Sequence, residues 1–152
     1  TDTLFKEKIT ELINLAYKNK CINSNKIHFV DNNEAEMIKL FRNTFLSTKI
    51  SFCNEIYHFC QSQNISYENI RKLATNDPRI GSSHTNVPGH DGFFGYGGTC
   101  FPKDTNSLYF QMKEKKLDSY IIKATVERNE IVDRPQHDWK SNINRAVIKE
   151  EE

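Results

Sequence analysis

At 152 residues the chain has room for one domain with a real core, and roughly two thirds of its extended surface can be buried at this size. Lys and Arg number 21 against 20 Asp and Glu, and the resulting net charge of +1 leaves no field that would gather nucleic acid or an anionic membrane surface. No apolar run approaches the roughly 18 residues needed to span a bilayer, the opening TDTLFKEKITEL lacks a signal-peptide layout, and four scattered cysteines do not make a disulfide scaffold. A cytoplasmic protein with reduced thiols is the expectation. Residues 3–18 then place Phe5, Ile9, Leu12, Ile13 and Ala16 at helical spacing, the stripe of an amphipathic helix that docks on something. KIHFV, residues 26–30, is bounded by polar turn residues and predicts a strand. A solitary strand has no ladder partners, so helix and strand together suggest the closing unit of an α/β sheet whose other strands lie elsewhere.

From Asn33 the pattern changes. Asn33 with Glu36 three residues on predicts a capping box, and no Gly or Pro interrupts the chain until Pro78. Apolar residues at 37, 38, 41, 45, 46, 50, 53, 56, 57 and 60 keep helical spacing, which makes residues 33–60 a rod of order 40 Å. So long a helix needs a partner along it, and the same helix of a second subunit is the expected one. Ser66 is placed to cap a short helix over YENIRKLAT. Residues 76–103 hold all six glycines and three of the four prolines, and irregular stretches of that length in a compact domain are usually functional. Asp104 is read as the N-cap of a helix over TNSLYFQMKEKK, which puts Cys100 just outside a helix N-terminus. A last helical segment starts at Asp118, meets Pro135 inside its pattern and frays in IKEEE.

The chemistry centres on GYGGTCFPKD, residues 95–104. A thiol becomes a nucleophile when its thiolate is favoured, and a helix N-terminus and the Lys103 ammonium both act in that direction. The glycines allow backbone N–H groups to face a developing oxyanion. The other reading of the same residues is a small buried cysteine in a glycine-rich turn. Cys53 and Cys60, seven apart on one apolar face, read as core. His58, His84 and His90 offer neither a CxxC nor an HxxxH pair with them, so no zinc site is expected. Lys39 and Asn43, four apart, share one side of the long helix.

GYGGTCFPKD, with DPRIG before it and EAEMIKLFRNTFLSTKISFCNEI upstream, resembles the UDP-glucose/GDP-mannose dehydrogenase family from about Asn32 onward. The resemblance implies a mainly α fold from an α/β enzyme: a central helical domain over residues 33–152, carrying the long dimerisation helix, a helical bundle and the glycine-rich catalytic loop. It is preceded over residues 1–32 by the last helix and strand of a Rossmann domain. It further implies oxidation of UDP-glucose to UDP-glucuronate by two NAD-dependent hydride transfers, through a thiohemiacetal and a thioester on Cys100, with Lys39 stabilising oxyanions and Asn43 and Asp104 positioning substrate and water. Arg79 matches an arginine that reaches the sugar nucleotide across the dimer, and Phe93, Phe94, Gly95, Tyr96 and Gly97 match the loop along the substrate. Cys100 and Lys103 lie where the motif meets NAD, which would be bound mainly by a domain outside this chain, since GHDGFFGYGG is no dinucleotide fingerprint. GDP-mannose or another nucleotide sugar is the alternative substrate. An excised piece, a split-gene product partnered by a separate NAD-binding domain, and an inactive helical dimerisation module all remain open at this stage.

Overall fold

The computed structural model describes residues 3–141. They divide into two compact units, one ending at Met37 and the other starting at Ile38. In the first, helix α1 spans Thr3–Lys18 and carries the expected apolar stripe, yet buries none of its residues. Leu12 and Leu15 are each 59% exposed. Lys20 then takes a left-handed φ of 58° and the Cys21 N–H closes on the Ala16 carbonyl at 2.9 Å, a common helix ending. Residues 26–30, expected as a strand, form no ladder, and no strand occurs among the described residues. The run is β-prone, but β-propensity expresses packing against neighbouring strands, and it finds none here.

Helix α2 spans Asn32–Ser62. Its capping box starts two residues before the expected position: the Glu34 N–H donates to Asp31 Oδ1 at 2.9 Å, and the Asp31 N–H donates back to Glu34 Oε2 at 3.3 Å. Within the second unit, the buried positions of α2 are Leu40, Thr44, Ser47, Ser51, Cys53, Asn54 and Cys60. Most of these side chains are small or polar, which lets neighbouring segments approach α2 closely. The large apolar side chains point the other way, with Phe41, Phe45, Phe52 and Phe59 all exposed. Towards the C-terminal end of α2, Cys53 and Cys60 form a core with Tyr67, flanked by Ile56, Tyr57 and Val87; both cysteines are core residues, as expected.

Helix α3 spans Tyr67–Ala74, and Ser66 caps it by accepting the Asn69 N–H at 3.3 Å. The buried Tyr67 hydroxyl donates to the Thr85 carbonyl at 2.7 Å, and Lys49 donates to the carbonyls of Ile80 and Gly81 at 2.8 and 3.0 Å. These contacts tie the early part of the glycine-rich loop to α2 and α3. Helix α4 spans Cys100–Glu114. It begins five residues earlier than expected, so Asp104 is no cap: its side chain is turned inward onto α2, and Cys100 is the first residue of the helix. Helix α5, Tyr120–Arg128, packs on α4 and passes into a π-turn over Asn129–Asp133. The chain leaves helical geometry at Arg134 (φ −142°, ψ 59°), because the residue before a proline is pushed out of the α region. Pro135 therefore follows the helix and does not interrupt it. A 3₁₀ turn, Asp138–Ser141, ends the described chain with Trp139 buried, and the IKEEE end lies outside the described residues.

Candidate active site

Four side chains from α2 and α4 meet at Asp104. The residue is only 2% exposed. It accepts from Asn43 Nδ2 at 2.6 Å and from Lys103 Nζ at 2.6 Å, and Lys39 Nζ stands 3.5 Å from Oδ2. Burial pushes the Asp104 carboxyl up, but Lys103, Asn43 and Lys39 outweigh it and hold it below the usual carboxylate range. Lys103 is held protonated above its ordinary value, first by its bond to Asp104, with the nearby Cys100 sulfur a smaller contributor. Two ammonium groups thus share one carboxylate, an arrangement with spare positive charge. Lys39 and Asn43 are brought together as their four-residue spacing predicts.

Cys100 lies one helical turn before Asp104, and residues four apart share a helix face. It is exposed, and all four cysteines are free thiols. Thr99, the residue at the N-cap position, makes no side-chain capping bond, so the first N–H groups of α4 are not taken by that side chain. The reading of Cys100 as a small buried residue is thereby ruled out. What the site can do chemically follows: an accessible thiol at a helix N-terminus, near Lys103 and one turn before the carboxylate that gathers both lysines, suits attack on a carbonyl carbon with the oxygen's negative charge met by cations.

The approach to Cys100 is held from behind. The Gly95 N–H donates to Asn54 Oδ1 at 3.2 Å, and Asn129 grips Tyr96 twice, accepting its N–H at 2.8 Å and donating to its carbonyl at 3.0 Å. Tyr96 itself is 3% exposed, and burial drives its phenol well above the usual tyrosine range. Of the five loop residues expected to line the substrate, Phe93 is exposed, Phe94 packs in tilted ring contacts against Tyr57 and His58, and Tyr96 faces inward. Gly95, Tyr96 and Gly97 line a hollow of about 260 Å³ together with His84, His90 and Phe101, while Pro102 and Lys103 open on a second of about 420 Å³ with Trp139 and Lys140. Arg79 is not part of the cluster. It is strongly exposed and pairs with Asp77 of its own turn at 2.6 Å. Asn54, Asn129 and Arg134 escaped the sequence reading, although an asparagine in the middle of an otherwise helical pattern is a signal that something other than the helix needs its amide.

The family model for the UDP-glucose/GDP-mannose dehydrogenase central domain matches residues 33–131. The chain belongs to this family. Similar relatives of the dehydrogenase family are the UDP-glucose 6-dehydrogenase of Campylobacter jejuni, 39% identical over 105 residues, that of Pseudomonas aeruginosa, 37% over 107, and the YwqF enzyme of Bacillus subtilis, 39% over 103. These alignments cover 69%, 70% and 68% of this chain but only 25%, 22% and 22% of the relatives. The chain thus spans about a quarter of the dehydrogenases it matches, and the residues matched by the family model include Lys39, Asn43, Cys100 and Asp104. Among the described residues no helix is long and apolar enough to cross a membrane.

Proposed function

We propose that this chain is the central, catalytic-cysteine part of a nucleotide-sugar dehydrogenase that converts UDP-glucose to UDP-glucuronate. The observation that carries the proposal is the convergence of Lys39, Asn43 and Lys103 on buried Asp104, one turn after an exposed Cys100. Phe101 after the cysteine favours UDP-glucose over GDP-mannose, by analogy with the family motif.

Once the sugar's C6 is an aldehyde, the Cys100 sulfur adds to its carbonyl carbon and gives a thiohemiacetal, whose oxyanion is met by the Lys39 ammonium. Loss of hydride from C6 leaves a thioester, which water cleaves to the carboxylate, returning the thiol. Asp104, kept ionised by the Lys103 and Asn43 donors and the nearby Lys39 charge, accepts hydrogen bonds and does not supply protons near neutral pH; it fixes Lys39 and Asn43 and orients the water. NAD supplies the hydride acceptor when bound. The described residues fit only one wall of its site, at Cys100 and Lys103, since no strand leads into a glycine-rich turn and helix, and residues outside this chain would hold the rest. The hollow beside Gly95–Gly97 is also smaller than the roughly 300–1,000 Å³ typical of ligand pockets, in keeping with a site completed by other segments. Pairing of α2 with α2 of a second copy would cover the exposed phenylalanines and let Arg79 reach the neighbour's substrate.

Two measurements test this. With the remaining domains of a relative supplied, UDP-glucose should slow iodoacetamide labelling of Cys100 and leave the exposed Cys21 unchanged; equal rates with and without the sugar refute it. Supplied with the NAD-binding domain of a relative, the chain should support UDP-glucose-dependent NADH formation that Cys100→Ser abolishes.

A further inference from the structure

Arg134 is a charged residue with its side chain only 3% exposed, and the chemistry of the site does not use it. Its guanidinium reaches two carboxylates at once: Nη1 donates to Asp91 Oδ2 at 2.7 Å, while Nε and Nη2 take both oxygens of Asp138 at 2.6 and 2.7 Å. Asp91 opens the loop that leads to Cys100, and its other oxygen accepts the Phe93 N–H at 3.1 Å. The Phe93 ring lies over the guanidinium at 5.1 Å. The ribbon then returns past the same group, for a β-carbon added at Gly97 would stand 2.3 Å from Arg134 Cζ. Residues 91, 93 and 97 are therefore all seated on one planar cation, whose far side is fixed to the 3₁₀ turn at Asp138.

We propose that Arg134 is a positioning residue for the substrate loop, a latch whose fork holds residues 91–97 in the shape that presents Cys100. The proposal deepens the function given above and rests on it for the loop's role. A lysine would keep the charge but not the fork, since a single ammonium cannot bond Asp138 through two parallel donors and Asp91 through a third in one plane.

Hydrogen exchange of the intact chain tests the latch without any turnover. In Arg134→Lys the amides of Phe93, Tyr96 and Gly97 should exchange about tenfold faster or more, with those of α3 changing less than about twofold. Iodoacetamide labelling of Cys100 should change by about threefold or more while that of Cys21 stays put. Should Arg134→Lys fail to fold, Asp91→Asn removes the loop's half of the latch, leaves the Asp138 pair intact, and should give the same loop-confined pattern. A uniform rise across α2, α3 and the loop would make Arg134 an ordinary core contact and overturn the proposal, as would an unchanged loop. UDP-glucose protection of Cys100 reads the substrate assignment separately, so loop-confined exchange without protection sinks that assignment and leaves the latch standing.

Discussion

Gly95→Ala is the sharpest test of how the loop is held. Gly95 has a left-handed φ of 67°, and a β-carbon there would stand 2.3 Å from Asn129 Oδ1 and 2.9 Å from Asp133 Cβ. The left-handed backbone disfavours alanine by about 1 kcal/mol. Forcing a methyl into packed atoms adds about 1–3 kcal/mol. Asn129 cannot withdraw without giving up its two bonds to Tyr96, which are worth about 1 kcal/mol each. Together the substitution should destabilise the chain by about 4 kcal/mol or more, a large fraction of an ordinary domain's stability. Two neighbours separate strain from collision. Gly98 has a similar φ of 71° with nothing within 4 Å, so Gly98→Ala should lose only about 1 kcal/mol. Gly97→Ala meets the Arg134 guanidinium without that backbone penalty and should fall between them. Urea unfolding followed by circular dichroism reads all three as shifts in midpoint at constant slope. If Gly98→Ala and Gly95→Ala prove equally damaging, the close packing of Asn129 on the loop is not what matters and the reasoning fails.

Three further outcomes are expected. Asp104→Asn should destabilise the chain at pH 7 by about 2 kcal/mol, because two ammonium groups lose their shared acceptor. The folded-state pKa of Asp104 is depressed, so its contribution is fully present above the unfolded value of about 3.9 and is lost as pH falls through the folded one; the gap between wild type and variant should start to narrow below about pH 4 and close only beneath the depressed folded value, and a gap that stays constant as the protein is acidified through that range would contradict the pairing. Native-state alkylation followed by mass spectrometry should label Cys100 and Cys21 and spare Cys53 and Cys60 until denaturant is added, since the latter two are buried and burial raises the Cys53 thiol; fast labelling of Cys60 would show that the α2–α3 core is not closed. Phe45→Glu on the exposed face of α2 should abolish the proposed α2–α2 pairing, read as a fall in sedimenting mass relative to wild type in analytical ultracentrifugation with little change in thermal midpoint; an unaltered oligomeric state would refute pairing through this face.

Much of this protein is legible without coordinates. Helices α1 and α3 and the cap at Ser66 follow from spacing and cap chemistry, because helical periodicity and N-cap bonds are local and act over a few residues. Lys39, Asn43 and Asp104 can be named only through the resemblance of their motifs to a known family, since spacing alone leaves the first two a surface pair and makes Asp104 a cap; Cys100 stands out by its glycine-rich approach to a helix start. Other features depend on partners distant in sequence. The run at residues 26–30 has the composition of a strand, yet a ladder needs a neighbour and none is described. Helix α4 starts at Cys100 and not after Asp104, because the Asp104 carboxylate is worth more against Asn43 and two lysines than as a cap. The outward phenylalanines and inward serines and threonines of α2 likewise reverse what apolar periodicity alone would suggest: which face is inside is settled by what packs there, and close approach of α4 and α5 admits only small side chains. Local chemistry in the sequence thus determined helices such as α1 and α3, while long-range contacts alone decided that Asp104 gathers the lysines and that Asn54, Asn129 and Arg134 contact the loop before Cys100.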